Sequence, residues 1–157
     1  SLRDEQHRFC SAGITIPWFA SELVAVNVRR FDQQPKYMAM TGSQPGYCYP
    51  KMPAGDKPIL ICEGEFDTLL AHQELGALLD CITFGSTTIL PRAEISQAIR
   101  NMWQLTYIAP DNDAAGDAMV KRLTPLFPQT QRIRPVMHDI TETWKAGVKL
   151  LDWFSGD

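Results

Sequence analysis

The chain has 157 residues, of which 45% are hydrophobic, and it carries a formal net charge of −3. This length and apolar content suffice for one buried core, so we expect a single compact unit with at most a small additional lobe. No apolar run approaches the ~20 residues that a membrane-spanning helix needs, and the first residues lack the apolar stretch of a signal peptide. We therefore expect a soluble, cytoplasmic protein without a membrane partner.

Acidic residues are concentrated in the second part of the chain. Residues 1–57 contain seven basic and five acidic side chains, whereas residues 58–157 contain eight basic and thirteen acidic ones. This balance gives no general argument for nucleic-acid binding, which often uses a basic surface. Carboxylates gathered around a cation would nevertheless not repel a phosphate.

The four cysteines follow no metal-binding pattern. Cys10, Cys48, Cys62 and Cys81 include no Cys-x-x-Cys pair and have no histidine at ligand spacing, so a zinc site is not expected. Cys62 and Cys81 lie in apolar runs, where a reduced thiol packs as a small hydrophobe. A reducing compartment fits this best.

The N-terminal part has the pattern of an antiparallel sheet. Apolar runs at residues 14–19 and 23–29 are separated by a short connection, which is typical of a hairpin. Pro17 favours an edge position for the first strand because proline has no N–H. Turn-forming residues at 53–58 indicate a linker. We predict a small β-rich lobe over residues 1–57 and a second domain over residues 58–157.

The C-terminal part alternates apolar runs of strand length with segments of helical spacing, a pattern typical of an α/β fold with a parallel sheet. Strands are predicted at Ile59–Cys62, Cys81–Phe84, Leu105–Ala109 and Ile133–Val136, and helices at Phe66–Leu75, Arg92–Met102, Ala114–Leu126 and Glu142–Phe154.

Acidic side chains follow three of these predicted strands. Glu63 and Asp67 follow the first strand, Asp111 and Asp113 the third, and Asp139 the last. Because the carboxyl ends of parallel strands form one ligand crevice, we expect these five side chains to meet at one edge of the sheet.

Carboxylates crowded together require a compensating cation or proton. Magnesium suits them, since it binds through one or two carboxylates together with water and substrate phosphate. Asp111 and Asp113 are separated by one residue, so in an extended stretch they point the same way and could share an ion. Gly64 and Gly116 would permit a tight turn or the close approach of a phosphate.

Each acid also has a simpler interpretation. Asp113 suits the N-cap of the helix that begins at Ala114, a role that does not exclude metal binding. Glu63 could be a solvated loop residue, and Asp67 could complement a helix dipole.

Two motifs resemble the Toprim family. Residues 59–67, Ile-Leu-Ile-Cys-Glu-Gly-Glu-Phe-Asp, are similar to its first motif, a strand that ends in Glu-Gly with an Asp soon after. Residues 107–116, Tyr-Ile-Ala-Pro-Asp-Asn-Asp-Ala-Ala-Gly, are similar to the second, an Asp-x-Asp that is followed in primases by Ala-Gly. Further segments resemble the catalytic part of bacterial and phage-type DNA primases: residues 12–17, 28–30, 35–37 (Pro-Lys-Tyr), 84–87 (Phe-Gly-Ser-Thr) and Asp139.

The resemblance implies a Toprim fold, in which a four-stranded, mainly parallel sheet is flanked by helices, together with the small antiparallel lobe. It implies a nucleotidyltransferase that makes RNA primers on single-stranded DNA from ribonucleoside triphosphates with Mg²⁺ or Mn²⁺. Glu63 would be the general base or acid, Asp111 and Asp113 would bind the metal, and Asp67 and Asp139 would complete the shell. A replicative helicase or further domains of a parent protein would be partners.

Basic residues of the N-terminal part complete the expected site. The resemblance favours phosphate contacts for Arg29 and Lys36, with Arg30 beside them, whereas the neighbouring aromatic residues are expected to be mainly core. Gly85 lies in the segment that resembles a Gly-Thr turn of primases and is assigned, with Gly64 and Gly116, to a phosphate loop.

Two other functions remain open. A Toprim nuclease is the rival enzyme, and the Pro-Lys-Tyr segment argues against it. A non-catalytic module that binds metal and nucleic acid within a larger replication or mobile-element protein is also possible, because the sequence contains neither a zinc-binding template module nor a Gly-x-x-x-x-Gly-Lys loop.

Overall fold

The computed structural model describes residues 12–102, 104–127 and 129–156. These residues form two β-sheets, one antiparallel and one parallel, with helices on both faces of the parallel sheet. Cys10, together with the rest of residues 1–11 of the predicted lobe, lies outside the described residues. The division of the chain after residue 57 stays a prediction.

The antiparallel sheet is formed by β1 (Gly13–Phe19), β2 (Leu23–Arg30) and β3 (Tyr37–Ala39), in that spatial order. Pro17 lies in β1, which is an edge strand as predicted. The buried face of this sheet contributes Trp18, which packs against Tyr49 with the two ring centroids 5.1 Å apart.

The parallel sheet confirms the predicted α/β Toprim-type architecture. Its strands are β4 (Ile59–Cys62), β5 (Asp80–Ile82), β6 (Thr106–Ala109) and β7 (Thr130–Arg132), and their spatial order is β5-β4-β6-β7. All neighbouring strands in this sheet are parallel. Beyond β5, Tyr49 forms an isolated antiparallel bridge with Thr83.

Alternating side chains of the central strand serve two cores. Ile59 and Ile61 face one core, Leu60 and Cys62 face the other, and all four are fully buried because the sheet is covered on both sides. The first core is closed by α2 (Ala93–Asn101) and α3 (Ala114–Leu123), and the second by α1 (Glu65–Leu75), α4 (Ile140–Lys145) and α5 (Leu150–Ser155). No helix in the described ranges has the length and apolarity to cross a bilayer.

Two predicted elements were placed wrongly. The last strand is Thr130–Arg132, not Ile133–Val136. It is an edge strand that bonds only to β6, so it needs no continuous apolar run. The last helix is interrupted at Gly147, whose φ of +87° is a left-handed conformation that favours glycine.

The described cysteines are free and buried, as expected for small hydrophobic residues. Burial raises the pKa of the Cys48 and Cys81 thiols to about 12, so both are protonated and unreactive at neutral pH.

Candidate active site

Glu63 and Asp111 lie on either side of the point where the strand order of the parallel sheet reverses. From β4 the chain moves outward to β5 and then returns to β6 on the other side of β4, which opens a crevice between the carboxyl ends of β4 and β6. Glu63 follows β4 and Asp111 lies one residue after Pro110, beyond β6. The Asp111 N–H donates a hydrogen bond to Glu63 Oε2 at 3.3 Å. The topology therefore brings both acids to one crevice.

Asp67 is held at the same edge by α4. Its Oδ1 accepts hydrogen bonds from the Thr141 backbone N–H at 2.9 Å and from the Thr141 hydroxyl at 2.6 Å. The side chain is thus fixed across the second core, from the first turn of α1 to the first turn of α4.

Asp113 and Asp139 are both helix N-caps. Asp113 Oδ1 accepts from the Gly116 N–H at 2.8 Å, and Asp139 Oδ1 accepts from the Glu142 N–H at 2.5 Å. The capping role that the sequence allowed for Asp113 is therefore present. Each cap uses one carboxylate oxygen and anchors its acid at the start of a helix.

The five carboxylates influence one another electrostatically. Burial, followed by the charges of Glu63, Asp67 and Asp139, raises the pKa of Asp111 to about 7. Burial also raises the pKa of Glu63, with Asp113 and Asp67 adding to it, and it raises the pKa of Asp67, with Asp139 adding to it. Burial and mutual repulsion thus both oppose negative charge on these carboxylates in the metal-free protein.

This charge and these oxygen donors fit a divalent cation. Across the parts of the chain that the structure describes, no three His, Cys, Asp or Glu side chains already form a metal cage. Magnesium does not require one, since it keeps several waters and commonly uses one or two carboxylates plus phosphate oxygens. The residues therefore suit an ion that is partly ligated by substrate.

Strand β2 of the antiparallel sheet contacts the first turn of α1, which follows Glu63 in the chain. Asn27 Nδ2 donates to Glu65 Oε1 at 2.6 Å, and Glu65 is only 2% exposed. Two residues further along β2, the Arg29 guanidinium lies 4.9 Å from the centre of the Phe66 ring. Arg29 is thereby placed against Phe66 in the first turn of α1, the turn that also carries Asp67.

The other two predicted basic residues are placed differently. The Arg30 guanidinium donates to Gln33 and to the Pro35 carbonyl, so it is engaged in its own hairpin. Lys36 is exposed.

A family model and several solved structures relate the chain to known proteins. The sequence profile described as Toprim-like matches residues 60–145, which is more than half of the chain. The chain belongs to the Toprim-like family. This confirms the resemblance inferred from the two motifs. A comparison with curated protein sequences gives no significant match.

Solved structures with the same Toprim fold include primases. A chain in the structure of bacteriophage T7 lagging-strand DNA polymerase interacting with primase domains of two gp4 subunits is 17% identical, with a TM-score of 0.67, and the match covers 84% of this chain and 70% of that one. The Aquifex aeolicus primase is 20% identical with a TM-score of 0.67, and the match covers 92% of this chain and 40% of that one. The primase fragment of the T7 primase-helicase is 14% identical with a TM-score of 0.62, covering 85% and 58%. At these identities the similarity establishes the fold.

The three glycines assigned to a Toprim phosphate loop have different surroundings. A Cβ on Gly64 would meet nothing nearer than Asp67 Oδ2 at 4.0 Å, so this position is open. A Cβ on Gly116 would collide with the Asp111 carbonyl oxygen. Gly85 has a φ of +92°, and a Cβ there would lie 2.9 Å from the Trp18 ring. Gly116 and Gly85 thus permit close packing within the protein.

Sequence reasoning missed three residues that organise this Toprim site. Thr141, Asn27 and Asn112 hold neighbouring groups through side-chain hydrogen bonds. Asn112 is the middle residue of the Asp-x-Asp in the second motif, and its place there could have marked it; Thr141 and Asn27 belong to neither motif.

Proposed function

We propose that this Toprim chain catalyses metal-dependent nucleotidyl transfer on nucleic acid, and that its reaction is the synthesis of RNA primers on single-stranded DNA from ribonucleoside triphosphates. The observation that carries the proposal is the juxtaposition of Glu63 and Asp111 in the crevice of the parallel sheet. Membership of the Toprim-like family and the shared fold of primase structures support it.

In this proposal Asp111 and Asp113 bind Mg²⁺ or Mn²⁺, and Asp67 and Asp139 complete or orient the shell. The bound ion would neutralise charge on the reacting phosphate and on the attacking or leaving oxygen. Asp113 and Asp139 each use Oδ1 to cap a helix. The cap fixes the carboxylate, and Oδ2 takes no part in that hydrogen bond.

Glu63 is the proposed general base for the primer 3′-hydroxyl. Burial raises its pKa, and a base whose pKa lies closer to the working pH accepts a proton more effectively. The Asp111 N–H at Oε2 and the Thr83 hydroxyl, which donates to the Glu63 carbonyl at 2.8 Å, hold the residue in place.

Substrate phosphates would contact Arg29 and Lys36, and the open position above Gly64 gives a phosphate access to the backbone. Arg30 is proposed to support this surface from its hairpin rather than reach the acids. Gly85 and Gly116 would shape the floor of the site. Single-stranded DNA would be the template, and a helicase or further domains of a parent protein would be the assembly partners; one structural relative is itself part of a primase-helicase.

The test is to incubate the chain with single-stranded DNA, four ribonucleotides and Mg²⁺ or Mn²⁺, and to assay primers and cut DNA in parallel. We expect primers, and we expect their loss in Glu63→Gln, which keeps the shape of the side chain but cannot accept the proton. DNA cleavage without primers would favour the nuclease, and metal-dependent binding without either product would favour the non-catalytic module. Full activity of Glu63→Gln would remove this residue from the mechanism.

A further inference from the structure

His138 is held beside Asp111 by the residue between the two acids of the second motif. Asn112 Nδ2 donates to the carbonyl oxygens of Pro135 and Met137, each at 2.6 Å, and the Asn112 N–H donates to the His138 carbonyl at 2.8 Å. The segment that follows β7 is therefore fastened to the loop that follows β6. The position of the His138 backbone relative to Asp111 is set by these three bonds.

The two side chains face each other without a hydrogen bond. His138 Nε2 lies 3.8 Å from Asp111 Oδ2, which is beyond hydrogen-bonding distance. Two donors that each lie about 2.1 Å from one ion are roughly 3 Å apart when adjacent and roughly 4.2 Å apart when opposite. The observed separation falls within this range. The imidazole is 49% exposed, so an ion from solvent can reach it.

We propose that His138 supplies an imidazole nitrogen to the metal ion bound by Asp111, so that this centre prefers Mn²⁺ to Mg²⁺ more strongly than an all-oxygen site would. The proposal rests on the metal site of the proposed function. Imidazole is a better ligand for transition metals than for Mg²⁺, which favours oxygen. The simpler alternative is a long-range attraction between an imidazolium and a carboxylate, which would not discriminate between ions of equal charge.

The direct test is pulsed EPR of Mn²⁺ bound to the full chain. We expect electron spin echo modulation from a directly coordinated ¹⁴N, and we expect it to disappear in His138→Gln. Calorimetric titration should show that His138→Gln weakens Mn²⁺ binding by about tenfold or more, an effect of the size seen when metal sites are altered, with a much smaller change for Mg²⁺. His72→Gln, in the last turn of α1, is the matched control and should change neither.

Bound Mn²⁺ without nitrogen modulation in the native chain would overturn the assignment and leave the carboxylate site intact. An equal loss of Mn²⁺ and Mg²⁺ affinity in His138→Gln would also overturn it, because the residue would then act through charge or structure. If neither ion binds the native chain, both this assignment and the metal site of the proposed function fail. Primer synthesis is measured in a separate assay, so a failure of the His138 assignment can be told apart from a failure of the proposed function.

Discussion

Asn27 donates a 2.6 Å hydrogen bond to the buried carboxylate of Glu65, and this contact joins β2 of the antiparallel sheet to the first turn of α1. A carboxylate that is almost completely buried requires such a donor, because burial of an unpaired charge is costly. Glu63 and Asp67 flank Glu65 in sequence. The contact therefore sets the position of the antiparallel sheet directly against the segment that carries the acids.

Removal of the Asn27 amide should destabilise the protein through the carboxylate that it leaves behind. We expect Asn27→Ala to lower the free energy of unfolding by about 2 kcal/mol, as for other hydrogen bonds to charged groups. In a Glu65→Gln background the same change should cost about half as much, because no buried charge remains. Urea denaturation of the native chain, the two single variants and the double variant measures this coupling; strictly additive effects would show that the charge is compensated elsewhere.

The Thr141 hydroxyl should stabilise the fold through Asp67. Thr141→Val keeps the shape of the side chain and the backbone N–H donor but removes the 2.6 Å bond to Asp67 Oδ1. We expect a loss of about 1.5 kcal/mol in chemical denaturation. Thr141→Ser retains the hydroxyl and should lose clearly less. A larger loss in Thr141→Ser than in Thr141→Val would trace the effect to the methyl group instead.

Asp111 should make the metal-free protein less stable as the pH rises. Its folded pKa of about 7 lies above the usual 3.8, so the folded state binds this proton more tightly than the unfolded state. The corresponding stability is complete below the usual pKa and is lost as the pH rises through 7. In EDTA, the melting temperature of Asp111→Asn should exceed that of the native chain by an amount that grows from about pH 4 to about pH 7 and then stays constant.

Excess Mg²⁺ should reduce this advantage at pH 8, because a bound cation stabilises the ionised carboxylate only in the native chain. A melting temperature of Asp111→Asn that is lower than native at every pH in EDTA would contradict the electrostatic description.

Gly116 should be intolerant of any side chain. Alanine favours helices by about 1 kcal/mol over glycine, but its Cβ would collide with the Asp111 carbonyl oxygen. We therefore expect Gly116→Ala to lower the melting temperature and to displace Asp111 from α3, with weaker Mn²⁺ binding. Gly64→Ala is the control: its Cβ has space and its φ of −122° suits alanine, so its melting temperature should stay close to native. Similar melting temperatures of the two variants would contradict this explanation.

Much of the fold follows from local patterns. The completely buried strand Ile59–Cys62 reads as a continuous apolar run because both faces of the parallel sheet are covered. Once the strands are known to be parallel, the meeting of Glu63 and Asp111 at the carboxyl ends of β4 and β6 follows from topology alone. These features required no knowledge of individual contacts.

The rest depends on pairs of side chains that are distant in sequence. Asp67 and Thr141 are 74 residues apart, and Asn27 and Glu65 are 38 residues apart. Their pairing follows from the way α4 and β2 pack against α1, which no periodicity encodes. The misplaced β7 has a related cause: an edge strand is defined by backbone hydrogen bonds to one neighbour, and a polar Thr-Gln-Arg segment meets that requirement.

The bridge between Tyr49 and Thr83 covers the chain immediately after the end of β5. Backbone hydrogen bonds of 2.9 Å run in both directions between these residues, so the donor and acceptor groups that an exposed strand would offer to a second molecule are already used at this point. At the opposite margin, β7 presents only three residues, too few to template an added strand. Within the described residues, the parallel sheet therefore offers few free backbone groups to which a second molecule could add a strand.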